Sequence, residues 1–544
     1  LKIYFMEKLL LLGDEAIAQA AIDAGLSGIF GYPGTPSTEI IEYIQASKEA
    51  KGKNIRSSWA SNEKTAMEAA LGMSYAGKRA MFTCKHVGMN VAADPFMNSA
   101  ITGVNGGLVY IAADDPSMHS SQDEQDSRYY ALWAKIPILE PSNQQEAYDM
   151  IHEAFELSEK FRLPVMLRIT TRLAHSRAGV VIRKDKREQN QIAIPENPKQ
   201  FILLPVNARR QYKELLAKQD GLELESKNSS FNKYIDGENK SLGVIACGLA
   251  YNYLMENFTQ TKCPYPILKI AQYPIPTEMV NKIYQECDSI LVLEEGQPLF
   301  EEKLKGFLNN GKKIMGRLDG TLTVDGELNP AKVGKALGLE VSEGFEVPSI
   351  VAPRPPKLCE GCPHADTYKA LNEVMADFSK GRVFADIGCY TLGALPPYNA
   401  INTTVDMGAS ITMAKGASEA GFQPAVAVIG DSTFTHSGMT GLLDCVVDNT
   451  PITIIILDNS ITAMTGSQKS NATGRIESIC EGIGVAKEHI RVITPLKKFH
   501  QENVNVLKEE IAYQGVSVVI PRRECLVWLN KKRKEEKQKQ KQQE

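Results

Sequence analysis

The sequence predicts an α/β protein with two doubly wound domains and a smaller α/β domain between them. Apolar runs of strand length alternate with helical patterns in segments 6–180 and 357–528. A further segment in which strand-like runs and helical patterns alternate covers 241–350. The charged stretch 181–240 and the proline-rich stretch Val347–Pro356 separate the three segments, since prolines and solvated polar residues are typical of linkers.

The first segment opens with a helix and continues as strands. We expect Asp14 to cap a helix that Gly25 ends. The run Gly28–Phe30 then enters a turn rich in glycine and proline. Three later apolar runs have the length and continuity of buried parallel strands, at 79–83, 107–112 and 164–169.

The later segments are assigned in the same way. We predict an irregular linker at 181–240, with a helix near 208–218. The middle segment is predicted to contain strands at 242–246 and 289–293 and a helix at 274–286. The polar tail 529–544 is rich in Lys and Gln, and we expect it to be a solvated, frayed end.

Composition excludes several classes of protein. Hydrophobic content of 43% and a net charge of −4 are ordinary for a globular chain and give no positive field for nucleic acid. No apolar run approaches the roughly 20 residues of a membrane-spanning helix. Ten cysteines among 544 residues are too sparse for a disulfide framework, and the sequence shows no export signal. We therefore expect a cytoplasmic protein that binds neither nucleic acid nor membrane.

The strongest chemical signal is a βαβ pattern between Pro424 and Asn459. Strand-like runs at 425–429 and 452–457 flank a helical pattern at 437–447. Because such strands are parallel, Asp431 and Asn459 are expected at the same carboxyl edge of the sheet. Their carboxylate and amide oxygens suit Mg²⁺ beside a diphosphate. The alternative is an ordinary α/β turn that Asp431 caps.

A Gly-Asp pair at a strand end, followed 28 residues later by Asn, resembles the signature of thiamine-diphosphate enzymes. The resemblance implies that Gly430, Asp431 and Ser432 bind the cofactor, although Ser432 replaces the commoner Gly. It also implies Mg²⁺ on the Asp431 and Asn459 side chains and the carbonyl of Ile461.

A thiamine-diphosphate enzyme also needs a glutamate on a second domain. In this family, that glutamate hydrogen-bonds the aminopyrimidine, which then removes the thiazolium C2 proton. Glu63 is our candidate, because it precedes a predicted helix of small residues at 66–72. Glu68, one turn further on, is a weaker candidate. The alternative for Glu63 is a helix-start carboxylate stabilised by the helix dipole.

Eight motifs extend the resemblance over residues 10–525. Together they resemble the large subunit of indolepyruvate ferredoxin oxidoreductases. The motifs are GYPGTPSTEI (31–40), SNEKTAMEAALG (61–72), KHVGMNVAADP (85–95), ADDPSMHSSQDEQDSR (113–128), LCEGCPHADT (358–367), ADIGCYTLG (385–393), VDMGAS (405–410) and GDSTFTHSG (430–438). The resemblance implies a pyrimidine-binding domain first, a transketolase-C-terminal-like domain in the middle and a diphosphate-binding domain last.

The resemblance also implies an activity and partners. Members oxidatively decarboxylate aryl 2-oxo acids with coenzyme A, giving an aryl-acetyl-CoA, CO₂ and reduced ferredoxin. They pair with a smaller β subunit, with an α2β2 assembly expected, and pass electrons singly to ferredoxin or another acceptor. A non-oxidative 2-oxo acid decarboxylase is the first alternative, and a non-catalytic assembly subunit is the second.

One departure from the family concerns its iron–sulfur clusters. The family's usual ferredoxin-like CxxCxxCxxxCP runs do not occur in these 544 residues. Cys359, Cys362, Cys389 and Cys525 follow a spacing that, in wider relatives, holds a proximal 4Fe-4S cluster, which four thiolates suit. The alternatives are a zinc ion on Cys359, Cys362 and His364, or unligated thiols.

Four further residues are candidates for the substrate pocket. By the resemblance, Thr35 approaches the substrate carboxylate, and Met464 stands where pyruvate enzymes have Asn. An apolar, adaptable methionine suits an aryl group, although it also suits core packing. Lys85 and His86 follow a predicted strand and are candidates for carboxylate binding or proton transfer. The alternatives are a turn residue for Thr35, a surface charge for Lys85 and a satisfied histidine for His86.

Overall fold

The chain folds into two compact units. The computed structural model describes residues 8–543 except 198, 307–310, 343, 345, 353–355 and 379–380, and without the side chains of 535 and 537–543. Contacts divide the chain into residues 1–346 and 347–544. The division falls at the first residue of the proline-rich stretch Val347–Pro356. The finer predicted domain boundaries stay a prediction.

The first unit alternates strands and helices along the chain. Its strands are β1 (Lys8–Leu12), β2 (Gly28–Gly31), β3 (Arg56–Trp59), β4 (Ala80–Lys85), β5 (Leu108–Asp114), β6 (Ile138–Leu139), β7 (Val165–Thr170), β8 (Arg177–Val181), β9 (Lys233–Ile235), β10 (Leu242–Cys247), β11 (Ile267–Ile270), β12 (Gln272–Tyr273), β13 (Ser289–Leu293) and β14 (Lys313–Met315). Its helices are α1 (Gly13–Asp23), α2 (Thr38–Ala46), α3 (Lys48–Gly52), α4 (Glu63–Tyr75), α5 (His86–Val91), α6 (Ala93–Thr102), α7 (Arg128–Ala134), α8 (Gln144–Phe161), α9 (Thr171–His175), α10 (Pro205–Ala217), α11 (Gln219–Asn228), α12 (Ala250–Glu256), α13 (Thr277–Glu286), α14 (Leu299–Lys305) and α15 (Pro330–Ala336).

The larger sheet of this unit has seven strands in the order β12-β6-β7-β5-β4-β2-β3. The strands are parallel except for the edge pair β12–β6. The predicted strands at 79–83, 107–112 and 164–169 are confirmed as β4, β5 and β7. Alternate residues of β5 enter two different hydrophobic clusters, so both faces of the sheet are covered, as in a doubly wound domain.

The smaller sheet has the order β14-β13-β10-β11-β9. Its strands are parallel except β9, which runs antiparallel to β11. The predicted strands at 242–246 and 289–293 are confirmed as β10 and β13. The predicted helix at 274–286 begins later, at Thr277, because Pro274 and Pro276 lie in the turn before it. Strand β1 pairs with β8 in a separate two-stranded ladder.

A buried ion-pair network holds the two sheets of the first unit together. Arg168 on β7 pairs with Asp114 at 2.8 Å and also with Glu140. Arg128 pairs with Glu294, just after β13, at 3.0 Å. All five side chains are buried. Removing one partner of such a buried network leaves an uncompensated charge, which typically costs about 3–5 kcal/mol.

Two expectations for the first unit were wrong. Asp14 does not cap α1, because the helix begins at Gly13 with Leu12 as its N-cap, which places Asp14 inside the first turn. The stretch 181–240 is not one irregular linker around a single helix. It contains α10, α11 and β9, and the buried Leu222 and Ser226 fix α11 against the core.

The second unit is a smaller α/β domain. Its strands are β15 (Arg382–Ala385), β16 (Ala425–Gly430), β17 (Ile452–Leu457), β18 (Ile461–Thr462), β19 (Gln468–Lys469), β20 (Ile490–Ile493) and β21 (Val516–Pro521). Its helices are α16 (Pro363–Met375), α17 (Ala409–Glu419), α18 (Asp431–Thr433), α19 (Met439–Val447), α20 (Ile476–Ile483), α21 (His500–Ala512) and α22 (Leu526–Gln543). A π-helical turn covers Phe434–Gly438, and 3₁₀ turns cover Cys389–Ala394, Ala463–Thr465, Lys487–His489 and Lys497–Phe499.

The sheet of the second unit is wholly parallel, in the order β15-β16-β17-β21-β20. The predicted βαβ unit is confirmed, with β16 and β17 as neighbouring parallel strands. The helical backbone begins at Asp431, six residues before the predicted start at 437, and passes through the π-helical turn into α19. A carboxylate is favourable in the first turn of a helix because of the helix dipole.

The polar tail is not frayed in the structure, because its backbone belongs to α22. Lys, Glu and Gln all have high helix propensity, and a composition that predicts a solvated end also suits an exposed helix. Among the described residues, no helix combines the length and the apolar composition needed to cross a bilayer.

Candidate active site

Asp431 and Asn459 lie at the carboxyl edge of the second unit's sheet. Gly430 on β16 is level with Leu457 on β17, so Asp431 and Asn459 follow neighbouring strand ends. Both side chains are buried, with exposed fractions of 2% and 6%. Open α/β sheets bind ligands at this edge. The structure thus brings the two predicted metal ligands to one edge.

The Asp431 carboxylate has an unsatisfied oxygen. Its Oδ2 atom is buried and has no hydrogen-bond partner among the residues that the structure describes. Burial raises the pKa of Asp431 to about 7, and the nearby Asp458 carboxylate adds to the increase, while a hydrogen bond from Ser470 opposes it. A divalent cation supplies the missing charge partner for such a carboxylate. The Asp431 carboxylate is therefore a suitable ligand for Mg²⁺.

The Asn459 side chain is held at both ends. Its Oδ1 accepts a hydrogen bond from the backbone N–H of Ile461 at 3.1 Å, and its Nδ2 lies 3.3 Å from Nε2 of His364. Burial lowers the pKa of His364 to about 4, and Arg523 adds to the decrease. A neutral imidazole with its proton on Nδ1 accepts through Nε2, and this tautomer fixes which end of the Asn459 amide faces it. Sequence reasoning considered His364 only as a zinc ligand and missed this role.

Beyond Asn459, the chain forms a short hairpin of β18 and β19. Ile461 on β18 is buried, and the hydroxyl of its neighbour Thr462 lies 2.9 Å from the Ser432 hydroxyl. Gly430 has no room for a side chain, because a Cβ there would lie 2.6 Å from the Tyr390 ring. Met464 lies on the 3₁₀ turn at the hairpin tip and is 66% exposed within its unit.

Four cysteines are gathered near this edge. Cys362 directly precedes α16, Cys389 opens a 3₁₀ turn, and Cys525 precedes α22 and donates its backbone N–H to the Asn459 carbonyl at 3.4 Å. Burial raises the pKa of the Cys389 thiol to about 12, and the other three cysteines, Cys362, Cys525 and Cys359, each add to the increase. Thiols whose charges raise one another's pKa lie close together.

The spacing of these cysteines bears on the metal that they suit. Among the described residues, no three ligand atoms around them come within 4.8 Å of one another. His364, the imidazole of the zinc alternative, has its Nε2 3.3 Å from the Asn459 amide nitrogen. A cluster of four irons spaces its thiolates more widely, and four thiolates are the ligand set that it needs.

In the first unit, Glu63 is the first residue of α4, which begins four residues after the carboxyl end of β3 at Trp59. Asn62 caps this helix by accepting from the backbone N–H of Thr65 at 2.9 Å. Glu63 is 5% exposed, and a Cβ on Gly88 would lie only 2.7 Å from its Oε1 atom. Glu68, by contrast, is exposed and pairs with Lys64. The structure therefore distinguishes the two candidates by burial.

His86 and Lys85 lie at the end of β4, near the turn that contains Thr35. His86 is buried; its Nε2 lies 3.1 Å from the Asp123 carbonyl, and its Nδ1 has no partner among the described residues. Lys85 donates to the Ser120 carbonyl at 2.9 Å, and Ser120 donates its hydroxyl to the Thr35 carbonyl at 3.3 Å. Burial lowers the pKa of Lys85. One loop thus connects these three candidates at the carboxyl edge of the sheet.

Two family models match the chain. The model described as pyruvate flavodoxin/ferredoxin oxidoreductase, thiamine diphosphate-binding, matches residues 19–233. The model described as thiamine pyrophosphate enzyme, C-terminal TPP-binding domain, matches residues 386–520. The first range contains Thr35, Glu63 and His86, and the second contains Asp431 and Asn459. The two ranges therefore include the predicted halves of the site.

Curated relatives match nearly the whole chain. The indolepyruvate oxidoreductase subunit IorA of Archaeoglobus fulgidus is 38% identical, over 97% of this chain and 88% of the relative. IorA of Pyrococcus abyssi is 38% identical, over 96% and 86%. The 2-oxoglutarate synthase subunit KorA of Methanothermobacter thermautotrophicus is 28% identical, over 36% and 53%. A solved 2-oxoglutarate:ferredoxin oxidoreductase from Magnetococcus marinus aligns with a TM-score of 0.49 and 16% identity, over 61% of this chain and 65% of that one.

Proposed function

This chain belongs to the family of IorA subunits of indolepyruvate oxidoreductase, and on that premise we propose that it carries out thiamine-diphosphate-dependent oxidative decarboxylation of aryl 2-oxo acids. Coenzyme A is the acyl acceptor, and the products are an aryl-acetyl-CoA and CO₂. The observation that carries the proposal is the buried Asp431 carboxylate, whose Oδ2 has no hydrogen-bond partner among the described residues, beside Asn459 at a sheet edge.

Asp431, Asn459 and the Ile461 carbonyl are the ligands that we assign to Mg²⁺. Two side-chain oxygens and one carbonyl oxygen leave the remaining positions to a diphosphate and water, which is how Mg²⁺ is commonly bound. Gly430 lets the Tyr390 ring pack against the strand end. Ser432 offers a hydroxyl beside the diphosphate. His364 acts as a positioning residue, because it accepts from the Asn459 amide.

Thiamine diphosphate supplies a carbanion and an electron sink when it is bound. Glu63 has the role of holding a proton at the aminopyrimidine ring nitrogen, and its burial keeps water from competing for that hydrogen bond. Lys85 and the Thr35 hydroxyl bind the substrate carboxylate. His86 can exchange a proton through Nδ1, which has no partner among the described residues.

Cys359, Cys362, Cys389 and Cys525 hold a 4Fe-4S cluster in this proposal. The support is their mutual effect on thiol pKa and the contact between the Cys525 backbone and Asn459. These four cysteines would hold the cluster, which would supply a one-electron acceptor for the oxidation, with ferredoxin or another acceptor as the final oxidant. The gathered cysteines favour this oxidative reaction over the non-oxidative decarboxylase.

The proposed substrate is an aryl 2-oxo acid of the indolepyruvate or phenylpyruvate type. Met464 supports this, because a flexible thioether adapts to a flat aromatic ring. The proposed partner is a smaller β subunit in an α2β2 assembly, in keeping with the relatives' description as subunits.

The test is an anaerobic assay of the chain co-purified with its smaller subunit. We expect reduction of methyl viologen that requires indolepyruvate, coenzyme A and thiamine diphosphate together, with Asp431→Asn and Glu63→Gln each losing at least a hundredfold in rate. Glu68→Gln is the matched control, since Glu68 is exposed and paired with Lys64. Aldehyde release without coenzyme A or an electron acceptor would instead support the decarboxylase.

A further inference from the structure

A second cluster of ligand-type side chains lies in the first unit, away from the residues assigned above. It consists of Asp14 in the first turn of α1, Glu39 near the start of α2 and His175 at the end of α9. One carboxylate oxygen from each acid and one ring nitrogen lie within 4.8 Å of one another. Among the described residues, no other group of three His, Cys, Asp or Glu reaches this spacing.

Asp14 points to a ligand at this place. The side chain is fully buried, and neither of its carboxylate oxygens faces a hydrogen-bond donor among the residues that the structure describes. Both oxygens of a buried carboxyl group are normally satisfied, and leaving them unsatisfied is costly. The Oε2 atom of Glu39 is also buried, and it lies 3.5 Å from Nε2 of His175, at ion-pair distance. Three ligand atoms therefore converge on a point where, in the described part of the chain, His175 is the only ion-pair partner of the two acids.

Close packing of the helices forms this arrangement. Gly13 directly precedes Asp14, and a Cβ at Gly13 would lie 2.2 Å from the Leu173 carbonyl of α9. Only a residue without a side chain allows α1 to approach α9 so closely, and that approach brings Asp14 toward His175. The α1 helix also packs against α2, which carries Glu39. The three ligands thus come from three helices fixed against one another.

We propose that Asp14, Glu39 and His175 bind one divalent transition-metal ion, with zinc the ion that this donor set suits best. Two carboxylate oxygens and one imidazole nitrogen are common zinc ligands, and their two negative charges balance the ion. Mg²⁺ rarely takes nitrogen, so the imidazole selects against it. His175 is about one third exposed, which leaves the remaining coordination position to water. The site stands independently of the proposed function.

The competing arrangement is a proton shared by the two acids, with a charged His175 as the partner of Glu39. Burial, and then the neighbouring Glu39, raise the pKa of Asp14 well above its ordinary value, which favours the protonated form of Asp14 in the absence of a metal. A hydrogen bond to Glu39 raises the pKa of His175. In this arrangement, the shared proton and His175 neutralise the acids without a metal ion. Metal-binding measurements therefore distinguish it from the proposed site.

The test is equilibrium dialysis of the full chain against zinc, with saturating Mg²⁺ present, followed by metal analysis. We expect Asp14→Asn and His175→Gln each to bind one zinc fewer per chain than the wild type, or to bind that zinc at least tenfold more weakly. Asp220→Asn, an exposed carboxylate on α11, is the matched control and keeps the wild-type stoichiometry. Far-UV circular dichroism checks that the variants are folded.

Cobalt distinguishes this site from the cysteines. Thiolate ligands give Co²⁺ an intense near-ultraviolet charge-transfer band, whereas oxygen and nitrogen ligands give only weak visible bands. We expect Asp14→Asn to lose weak visible absorption and to keep any charge-transfer band. Equal zinc stoichiometry and affinity in the wild type and both variants, or cobalt spectra that Asp14→Asn leaves unchanged, would overturn the proposal. His175→Gln alters a partly exposed residue, so the test does not depend on the buried substitution alone.

Discussion

Nδ2 of Asn459 lies 3.3 Å from Nε2 of His364. This contact connects the sheet edge that carries the proposed Mg²⁺ ligands to the segment that contains Cys362. His364 is two residues beyond Cys362 and lies in the first turn of α16. Cys525 reaches the same place from the other end of the unit, through its hydrogen bond to the Asn459 carbonyl. The proposed Mg²⁺ ligand is thus held by the segments that carry two of the proposed cluster ligands.

Replacing His364 tests this contact directly. We expect His364→Leu to weaken Mg²⁺ binding at saturating thiamine diphosphate by about ten- to a hundredfold, since residues that orient a metal ligand have effects of this size. His364→Gln retains an acceptor and should recover much of the loss. His500→Gln, at an exposed histidine paired with Glu373, is the control. Unchanged Mg²⁺ affinity in His364→Leu would contradict the assigned role.

Gly88→Ala tests the position of Glu63. The added Cβ would lie 2.7 Å from Oε1 of Glu63 and must displace that carboxylate. Because a misplacement of about 1 Å can cost about a hundredfold in rate, we expect a loss of this order in the exchange rate of the thiazolium C2 proton, measured by NMR. Gly72→Ala lies on the same helix as Glu63 and meets no atom within 4 Å. It should keep the wild-type exchange rate. A wild-type rate in Gly88→Ala as well would show that C2-proton exchange does not depend on the position of Glu63.

The cysteine assignment predicts a specific pattern of iron loss. Protein purified without air should contain about four irons per chain if four thiolates hold one 4Fe-4S cluster. Cys362→Ser and Cys389→Ser should each reduce this to less than one. Cys445→Ala changes a cysteine buried in the core of the same unit and should keep the iron. Iron that survives in Cys389→Ser, or is equally lost in Cys445→Ala, would contradict the assignment.

His152 makes the first unit sensitive to acid. Burial lowers the pKa of His152 to about 4, and the Arg183 and Arg79 guanidinium groups add to the decrease. In the unfolded chain, histidine titrates near 6.5. Between these values, the unfolded state binds more protons, so the free energy of unfolding falls as the pH falls from about 6.5 to 4. The loss approaches about 3 kcal/mol below pH 4.

The measurement is urea unfolding of the wild type and His152→Leu between pH 7 and 4. His152 contributes no pH dependence once it is replaced, so the variant should lose less stability over this range. The free energy of unfolding of the variant minus that of the wild type should therefore rise steadily toward pH 4. Parallel losses in both proteins would assign the acid sensitivity to other groups.

Sequence patterns predicted the elements that depend on local chemistry. Buried parallel strands consist of continuous apolar runs, and β4, β5, β7, β16 and β17 were found for that reason. The right-handed parallel βαβ rule then predicts that Asp431 and Asn459 lie at one edge of the sheet.

Features that depend on distant partners were not predictable in this way. Helix α11 has few apolar residues, and its buried Ser226 is fixed by donating to the Gln272 carbonyl at 2.8 Å. The contact of His364 with Asn459 joins residues 95 positions apart. Asp14 was expected as a helix cap, since an Asp before an apolar pattern usually is one. Its burial between helices depends on Gly13 packing against α9.

The most direct test of the account is Mg²⁺-dependent binding of thiamine diphosphate. It is measured by titration calorimetry on the cofactor-free chain in complex with the proposed smaller subunit, comparing the wild type with Asp431→Asn. Asn at 431 cannot supply the charge that a divalent ion requires, so we predict binding by the wild type only with Mg²⁺ and at least a hundredfold weaker binding by the variant. Equal affinity in the two proteins, or wild-type binding that Mg²⁺ does not affect, would contradict the central claim.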